Sequence, residues 1–134
     1  MIIGIGVDIL ATDRIARIVR RGSSYATRFA RHILCDCEIG YFTNTLVSKN
    51  ENEQIRYLAT RWCLKEAVYK AAYPHQILRW SDVSIYKVGP KLAMNVRWNQ
   101  ELQGAFVHAS ISHDGGLIAG YVVIEKNEEA KRVK

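Results

Sequence analysis

The sequence has little that would staple, anchor or interrupt a fold. Its three cysteines, Cys35, Cys37 and Cys63, are odd in number and include no C-x-x-C pair. That argues against a disulfide framework and a structural zinc site, and for a reducing compartment. Cys63 lies in an apolar helical stretch and reads as a small core residue. No apolar run approaches the ~20 residues of a membrane-spanning helix, so no membrane partner is expected. Met1 leads straight into Ile2-Ile3, which reads as folded structure rather than a leader. Acidic residues are short as well, 13 against 19 lysines and arginines, for a net charge of +6. The shortage is sharpest in residues 1–34, with six arginines, no lysine and two aspartates. Such a surface suits nucleic acid, anionic lipid or an acidic protein, and charge alone does not choose among them.

What is present is a chain of 134 residues, 49% hydrophobic and 24% charged. That is one domain, large enough for a core without staples. Residues 1–125 carry its patterned part, and 126–134 read as a disordered charged tail. The first helices are followed by strands, so an α+β fold is expected, with an antiparallel sheet packed on one long buried helix and shorter helices.

Ile2 to Asp8 reads as a strand, with Gly4, Gly6 and Asp8 on one face. Two glycines on a strand face imply close approach by a ligand or by another backbone. A dinucleotide fingerprint fails here, because Ile9 stands where the third glycine belongs and the glycines lie within the strand. Thr12 is the expected N-cap of a helix over 13–21, and a second helix is expected over 25–32. Arg14, Arg17 and Arg21 fall at i, i+3, i+7, and Arg28 and Arg31 extend the basic face. Arginine is the side chain suited to bidentate grip on carboxylate or phosphate. Residues 34–42 read as a short helical turn and 43–53 as a polar loop. From Trp80 onward strands are expected over 83–88, 92–96, 106–112 and 117–125, with tight turns at Gly89-Pro90 and His113-Asp114-Gly115-Gly116.

The long helix, Ile55 to Tyr73, organises the chain. Ile55, Leu58, Ala59, Trp62, Tyr69 and Tyr73 share one face, and Tyr57, Leu64, Val68 and Ala71 an opposite one, which describes a helix sandwiched between layers. Glu66 falls in the middle of the first stripe. A carboxylate there needs a counter-charge, a proton or a metal; a salt bridge and a functional site both account for it. Asp8, at the end of a glycine-cleared strand face, is a second candidate, with a strand-end or capping role as the plain reading. Two carboxylates without thiolate or imidazole suit a hard cation, and Mg²⁺ in particular uses one or two carboxylates with waters and phosphate oxygens. Arg61, Lys65 and Lys70 would supply the cations of a phosphate site, or else lie on the surface with their heads in water. His108, Ser110 and Ser112 share a strand face next to His113. This run suits phosphate or ribose contacts, and no acid is evidently placed to make a protease-like triad.

Taken together, IIGIGVDI, TRFARHIL, RWCLKEAVYKA and HASISHD resemble the holo-acyl-carrier-protein synthase family of 4′-phosphopantetheinyl transferases. The resemblance runs from Met1 to about Glu125. It implies transfer of the 4′-phosphopantetheine arm of coenzyme A to a serine of an acidic acyl carrier protein, with adenosine 3′,5′-bisphosphate as the other product. It further implies Asp8 and Glu66 as Mg²⁺ ligands, Lys70, His108 and His113 as coenzyme A contacts, and Arg14, Arg21 and Arg28 as the grip on the carrier. Catalysis is assigned to Asp8, Glu66 and Lys70, and Arg61, Lys65 and Ser112 are added to the coenzyme contacts. A homotrimer with active sites between subunits is implied too. The chain departs from the family where glycine-threonine-glycine is replaced by Tyr73-Pro74-His75-Gln76. It departs again at the bulky run Arg61 to Glu66 and at Gly89-Pro90-Lys91. These departures point toward a eukaryotic mitochondrial member, with bacterial cytoplasm as the other location. Rival readings are a basic nucleic-acid-binding domain on the Arg14–Arg31 face and an inactive coenzyme-A-binding subunit. The first lacks any zinc-finger, RRM or KH signature and leaves Glu66 unexplained, so no nucleic-acid partner is expected.

Overall fold

The structure is a computed structural model that describes residues 1–128. Its elements run β1 (Ile2–Ala11), α1 (Thr12–Val19), α2 (Ser23–Ile33), α3 (Asp36–Tyr41), a π-helical turn (Phe42–Leu46) and α4 (Glu51–Ala72). A 3₁₀ turn (Trp80–Asp82) then leads to β2 (Val83–Val88), β3 (Lys91–Val96), β4 (Phe106–Asp114) and β5 (Leu117–Glu125). The expected α+β class holds, with two antiparallel sheets rather than one. β1, β5 and β4 form a three-stranded sheet in that order, and β2 and β3 form a separate hairpin. No helix among the described residues is long and apolar enough to cross a membrane.

The glycines of β1 explain how α4 lies on the sheet. A Cβ at Gly4 would run into the Ala71 carbonyl oxygen, and one at Gly6 into that of Ala67. Gly120 on β5 faces Cys63, whose Sγ would stand 3.0 Å from an added Cβ. Cys63, Ala67 and Ala71 recur at intervals of four, so one stripe of small residues along α4 meets three glycines on the sheet. The close approach foreseen at Gly4 and Gly6 is therefore that of another backbone.

Around this contact the core divides in two. Leu10, Ile15, Val19, Ile33, Phe42 and Leu58 join α1 to α3 with the N-terminal half of α4. Leu64, Val68, Val83, Leu102, Val122 and Ile124 join its C-terminal half to the sheets. The opposite face of the three-stranded sheet is left uncovered by the described residues. Ile5, Val7, Ile9, Phe106 and Tyr121 are exposed there. Cross-strand rows Val7–Tyr121–Ser110 and Ile9–Ala119–Ser112 set the face's composition.

Several local expectations are corrected. Thr12 does not cap α1; its hydroxyl donates to the Gly116 carbonyl at 3.0 Å, tying the helix start to the β4–β5 turn. The polar stretch 43–53 is largely helical. Asn50 is the N-cap of α4, its Oδ1 accepting the Glu53 N–H at 3.0 Å, and Glu51 and Glu53 suit the positive end of the helix dipole. Those first turns are solvated, so they carry no apolar period to read. At the other end, the Met1 amino group donates to the Lys126 carbonyl at 2.9 Å, and Lys126 Nζ donates to Glu101 O at 2.6 Å. Lys126, the first residue of the expected tail, is thus tied to the fold, and residues 129–134 of that tail lie outside the described residues.

Candidate active site

Asp8 and Glu66 come from different elements, and the Asp8 charge acts on the Glu66 carboxyl. Asp8 lies late in β1 on the face turned to α4, opposite Gly120. Glu66 projects from α4 one turn before Lys70. Lys70 Nζ donates to Asp8 Oδ1 at 3.0 Å and to the Val7 carbonyl at 3.1 Å. The Glu66 carboxyl is held above its ordinary value by partial burial first and by the Asp8 charge second, with Lys70 pulling the other way. Glu66 thus feels a neighbouring carboxylate whose own counter-charge, Lys70, is bonded to Asp8.

The stripe that carries Glu66 is less deeply buried than its sequence pattern implies. Tyr69 and Tyr73 are exposed, and Trp62 is half-buried. Periodicity marks a side of a helix, not the depth of what covers it. Here the stripe leaves the core and opens on a cavity of about 130 Å³ lined by Glu66, Tyr69, Leu78, Trp80 and Val83. Behind Trp80, which lines the cavity, Trp62 packs at a tilt with 4.9 Å between ring centroids, and Phe29 stacks on Trp62 at 5.5 Å.

Burial of a charge that must otherwise stay in water has a sign that can be tested. The raised Glu66 value means protonation favours the folded state. That contribution is complete below the ordinary carboxylate value of 4.5 and is lost as pH rises through the raised value. Glu66→Gln should therefore leave the metal-free protein at least as stable as wild type at neutral pH. The advantage should vanish below the ordinary carboxylate range in urea titrations at a series of pH values. A variant less stable at neutral pH would contradict the assignment.

Lys65 and Arg61 are corrected most clearly, since neither offers its head to water or freely to a phosphate. Lys65 is 3% exposed. Its ammonium spends its three donors on Glu38 Oε1 at 2.6 Å, Ile33 O at 2.8 Å and Trp80 O at 3.3 Å. Arg61 lies over the Tyr57 ring at 3.6 Å, with Nε 3.6 Å from Glu38 Oε2. At that length the Nε makes an ion pair without a hydrogen bond, and it is buried with no other partner. Glu38, which sequence reasoning passed over, is thus the centre of a buried charge cluster. It also accepts the N–H groups of Cys35 at 3.0 Å and Ile85 at 3.4 Å. A sequence signal existed: a glutamate three residues after an N-cap position, as in a capping box.

The C-terminal residues lie apart from this centre within the chain. His108 and Ser112 point to the uncovered face of the sheet, away from Asp8, because alternation along β4 places Ile111 in the Asp8–Gly120 row. His108 Nε2 lies 2.9 Å from Glu125 Oε2, an acid partner the sequence did not reveal because it is diagonal across β5. His113 is exposed in the row of Leu10 and Ile118 on the edge strand. The loop at Tyr73–Gln76 is held by Gln76, which donates to Arg97 O and accepts from Asn99 N–H, both at 2.9 Å.

The basic face is exposed as expected. Arg17 pairs with Asp13 at 2.9 Å and Arg20 with Glu51 at 3.7 Å. Arg14, Arg21, Arg28 and Arg31 make no ion pair among the described residues. Arg21 and Arg28 instead flank Tyr25, at 4.6 and 5.9 Å from its ring centroid.

Comparison with known proteins gives this geometry a family. The chain is 31% identical over 120 residues to a putative holo-[acyl-carrier-protein] synthase of Schizosaccharomyces pombe, covering 86% of this chain and 89% of that protein. The solved holo-[acyl-carrier-protein] synthase of Neisseria meningitidis superposes with a TM-score of 0.74 at 28% identity, over 94% of this chain and 100% of that one. The Helicobacter pylori enzyme, solved in complex with coenzyme A, does so with a TM-score of 0.63 at 29% identity, over 90% and 99%. Residues 4–123 match the model of one family, and the chain belongs to it: the 4′-phosphopantetheinyl transferase superfamily.

Proposed function

We propose that this protein transfers the 4′-phosphopantetheine arm of coenzyme A to a serine hydroxyl of an acyl carrier protein, with Mg²⁺ held by Asp8 and Glu66. The observation that carries the reading is that the Asp8 carboxylate of β1 acts on the Glu66 carboxyl of α4, with Lys70 bonded to Asp8 beside them. The donor set fits the ion. Two carboxylates without soft ligands suit a hard cation. Among the described residues no group of three or more metal-ligating side chains converges, so the remaining positions would fall to water and pyrophosphate oxygens. Bound there, Mg²⁺ would supply charge neutralisation and alignment of the pyrophosphate.

The chain's own residues supply the rest. Transfer of this type needs positioning and charge compensation more than covalent catalysis. Lys70 gives a mobile ammonium, half-exposed beside Asp8, that can turn to the leaving phosphate. The Tyr69 and Trp80 rings line the cleft beside Glu66 and limit the access of bulk water there. Lys65 is reassigned from ligand contact to support of Glu38. Arg61, buried over the Tyr57 ring with its Nε turned to Glu38, is reassigned likewise from phosphate contact to the buried charge cluster. The test is the mass of an apo-carrier protein after incubation with this protein, coenzyme A and Mg²⁺. A gain of one phosphopantetheine, abolished by chelator, is expected; no gain with any carrier would leave an inactive coenzyme-A-binding subunit.

The uncovered face of the β1–β5–β4 sheet supports a homotrimer, in which His108 and Ser112 would reach the coenzyme of a neighbouring copy. Sedimentation at the mass of one chain would refute this. The unpaired arginines of α1 and α2 fit an acidic carrier helix. Arg21→Glu with Arg28→Glu should raise the KM for carrier about tenfold or more, with like charges replacing attraction, while leaving that for coenzyme A unchanged. Equal effects on both would place the arginines elsewhere in the reaction.

A further inference from the structure

The proposed transfer uses neither Cys35 nor Cys37, and the C-x-C spacing gave no zinc or framework signal. In the structure their Sγ atoms are 2.9 Å apart. Cys35 is extended, with φ −79° and ψ 170°, and Cys37 sits in the first turn of α3, so the chain bends between them and turns both sulfurs to one side. Cys37 is exposed, Cys35 is half-buried, and Cys63 is buried elsewhere in the fold. Cys35 and Cys37 both line an open cleft of about 490 Å³, which Arg31 and Arg97 share with Asp36 and Asp82. A disulfide would need the sulfurs to close from 2.9 Å to about 2.05 Å.

We propose that Cys35 and Cys37 form a thiol–disulfide modification site, oxidised by exchange with a small carboxylate-bearing disulfide, and that its state is felt by the catalytic helix. The exposed Cys37 thiolate attacks one sulfur of the small disulfide, forming a mixed disulfide and releasing one thiolate. Cys35 then attacks Cys37 Sγ, its proton passing to the second departing thiolate. Two protein thiols and one small disulfide become one protein disulfide and two small thiols. The Cys35 thiol is pushed up to about 12, by burial first and then by Cys37 and Glu38. That makes the exposed Cys37 the first attacker and the resolving attack by Cys35 the slow step, since Cys35 must shed its proton to act; the Cys37 contribution ends once Cys37 is in the mixed disulfide. Arg31 and Arg97 give carboxylates of the small disulfide a place to rest.

The link to α4 runs through one oxygen. Glu38 Oε1 accepts both the Cys35 N–H at 3.0 Å and Lys65 Nζ at 2.6 Å. Lys65 is the residue immediately before Glu66. Drawing Cys35 toward Cys37 therefore acts on the carboxylate that anchors α4 beside the metal ligand. This second part rests on the proposed function; the first does not.

The experiment treats the full protein with oxidised glutathione and maps the tryptic peptide 32–49, which contains both cysteines. Its mass should fall by two hydrogens and recover with dithiothreitol, while Cys63 stays reduced. Carrier labelling should slow by roughly tenfold on oxidation, as expected when a partner that orients a metal ligand is disturbed. The Cys37→Ser variant should show neither change. A peptide that keeps both thiols, or stops at an unresolved glutathione adduct on Cys37, overturns the pair. An oxidised protein that labels carrier at the reduced rate overturns the link to α4. The peptide mass requires no transfer activity, so its failure is distinct from failure of the proposed transfer.

Discussion

Glu66→Gln should reduce carrier labelling by roughly 10²-fold or more, and Asp8→Asn should do the same, with each protein still folded. Loss of a partner one shell away from a metal typically costs 10- to 100-fold, so loss of a direct ligand sets that as the floor. The two substitutions should not add, since either one dismantles the same proposed pair. The physical basis is the mutual effect of the carboxylates: the Asp8 charge raises the Glu66 value, which a shared cation would reverse by stabilising both charges. Raising Mg²⁺ should restore part of the activity of either variant, whereas coenzyme A should not. Labelling at the wild-type rate by either variant would remove the metal from the proposal. Because Glu66→Gln relieves a burial penalty at neutral pH, low activity cannot be ascribed to unfolding when the urea midpoint is unchanged.

Glu38→Ala carries the largest expected loss of stability. Its carboxylate is 3% exposed and is the counter-charge of Lys65, which is equally buried. Removing one partner of a buried pair leaves the other uncompensated and costs about 3–5 kcal/mol. That is a large share of the ~5–15 kcal/mol that keeps a domain folded. The N–H groups of Cys35 and Ile85 lose their acceptor as well. Replacing both charges, as Glu38→Met with Lys65→Met, should recover much of the loss, because no isolated charge then remains buried. Urea unfolding of the three variants measures this; a Glu38→Ala midpoint within error of wild type would mean the cluster is solvated rather than buried. The same variant should lower labelling beyond its effect on folded fraction, since α2, α3 and the Trp80 turn are joined to α4 through Lys65.

The strands and the long helix were legible because alternation and the 3.6-residue period are local properties. The glycines of β1 also announced a close approach. What met them was not legible: a glycine implies an absent Cβ, and only the packing of Cys63, Ala67 and Ala71 shows that α4 fills the space. Glu66 and Asp8 stood out because carboxylates are costly among apolar residues. Arg61 and Lys65 misled for the converse reason. Helical spacing placed them near Glu66, but their sides of α4 face α2 and α3, where Glu38, 27 residues from Lys65 in sequence, waits as counter-charge. Such a pairing has no periodic signature.

The sequence by itself determined the element types, the family resemblance and the two carboxylates, because each rests on spacing within a short segment. Only the tertiary structure decided which charges are spent on folding and which remain for chemistry. Lys65 and Lys70 sit five residues apart on one helix, a rotation that turns the first into the interior and the second toward Asp8. Burial made one a strut and left the other half-exposed beside a carboxylate.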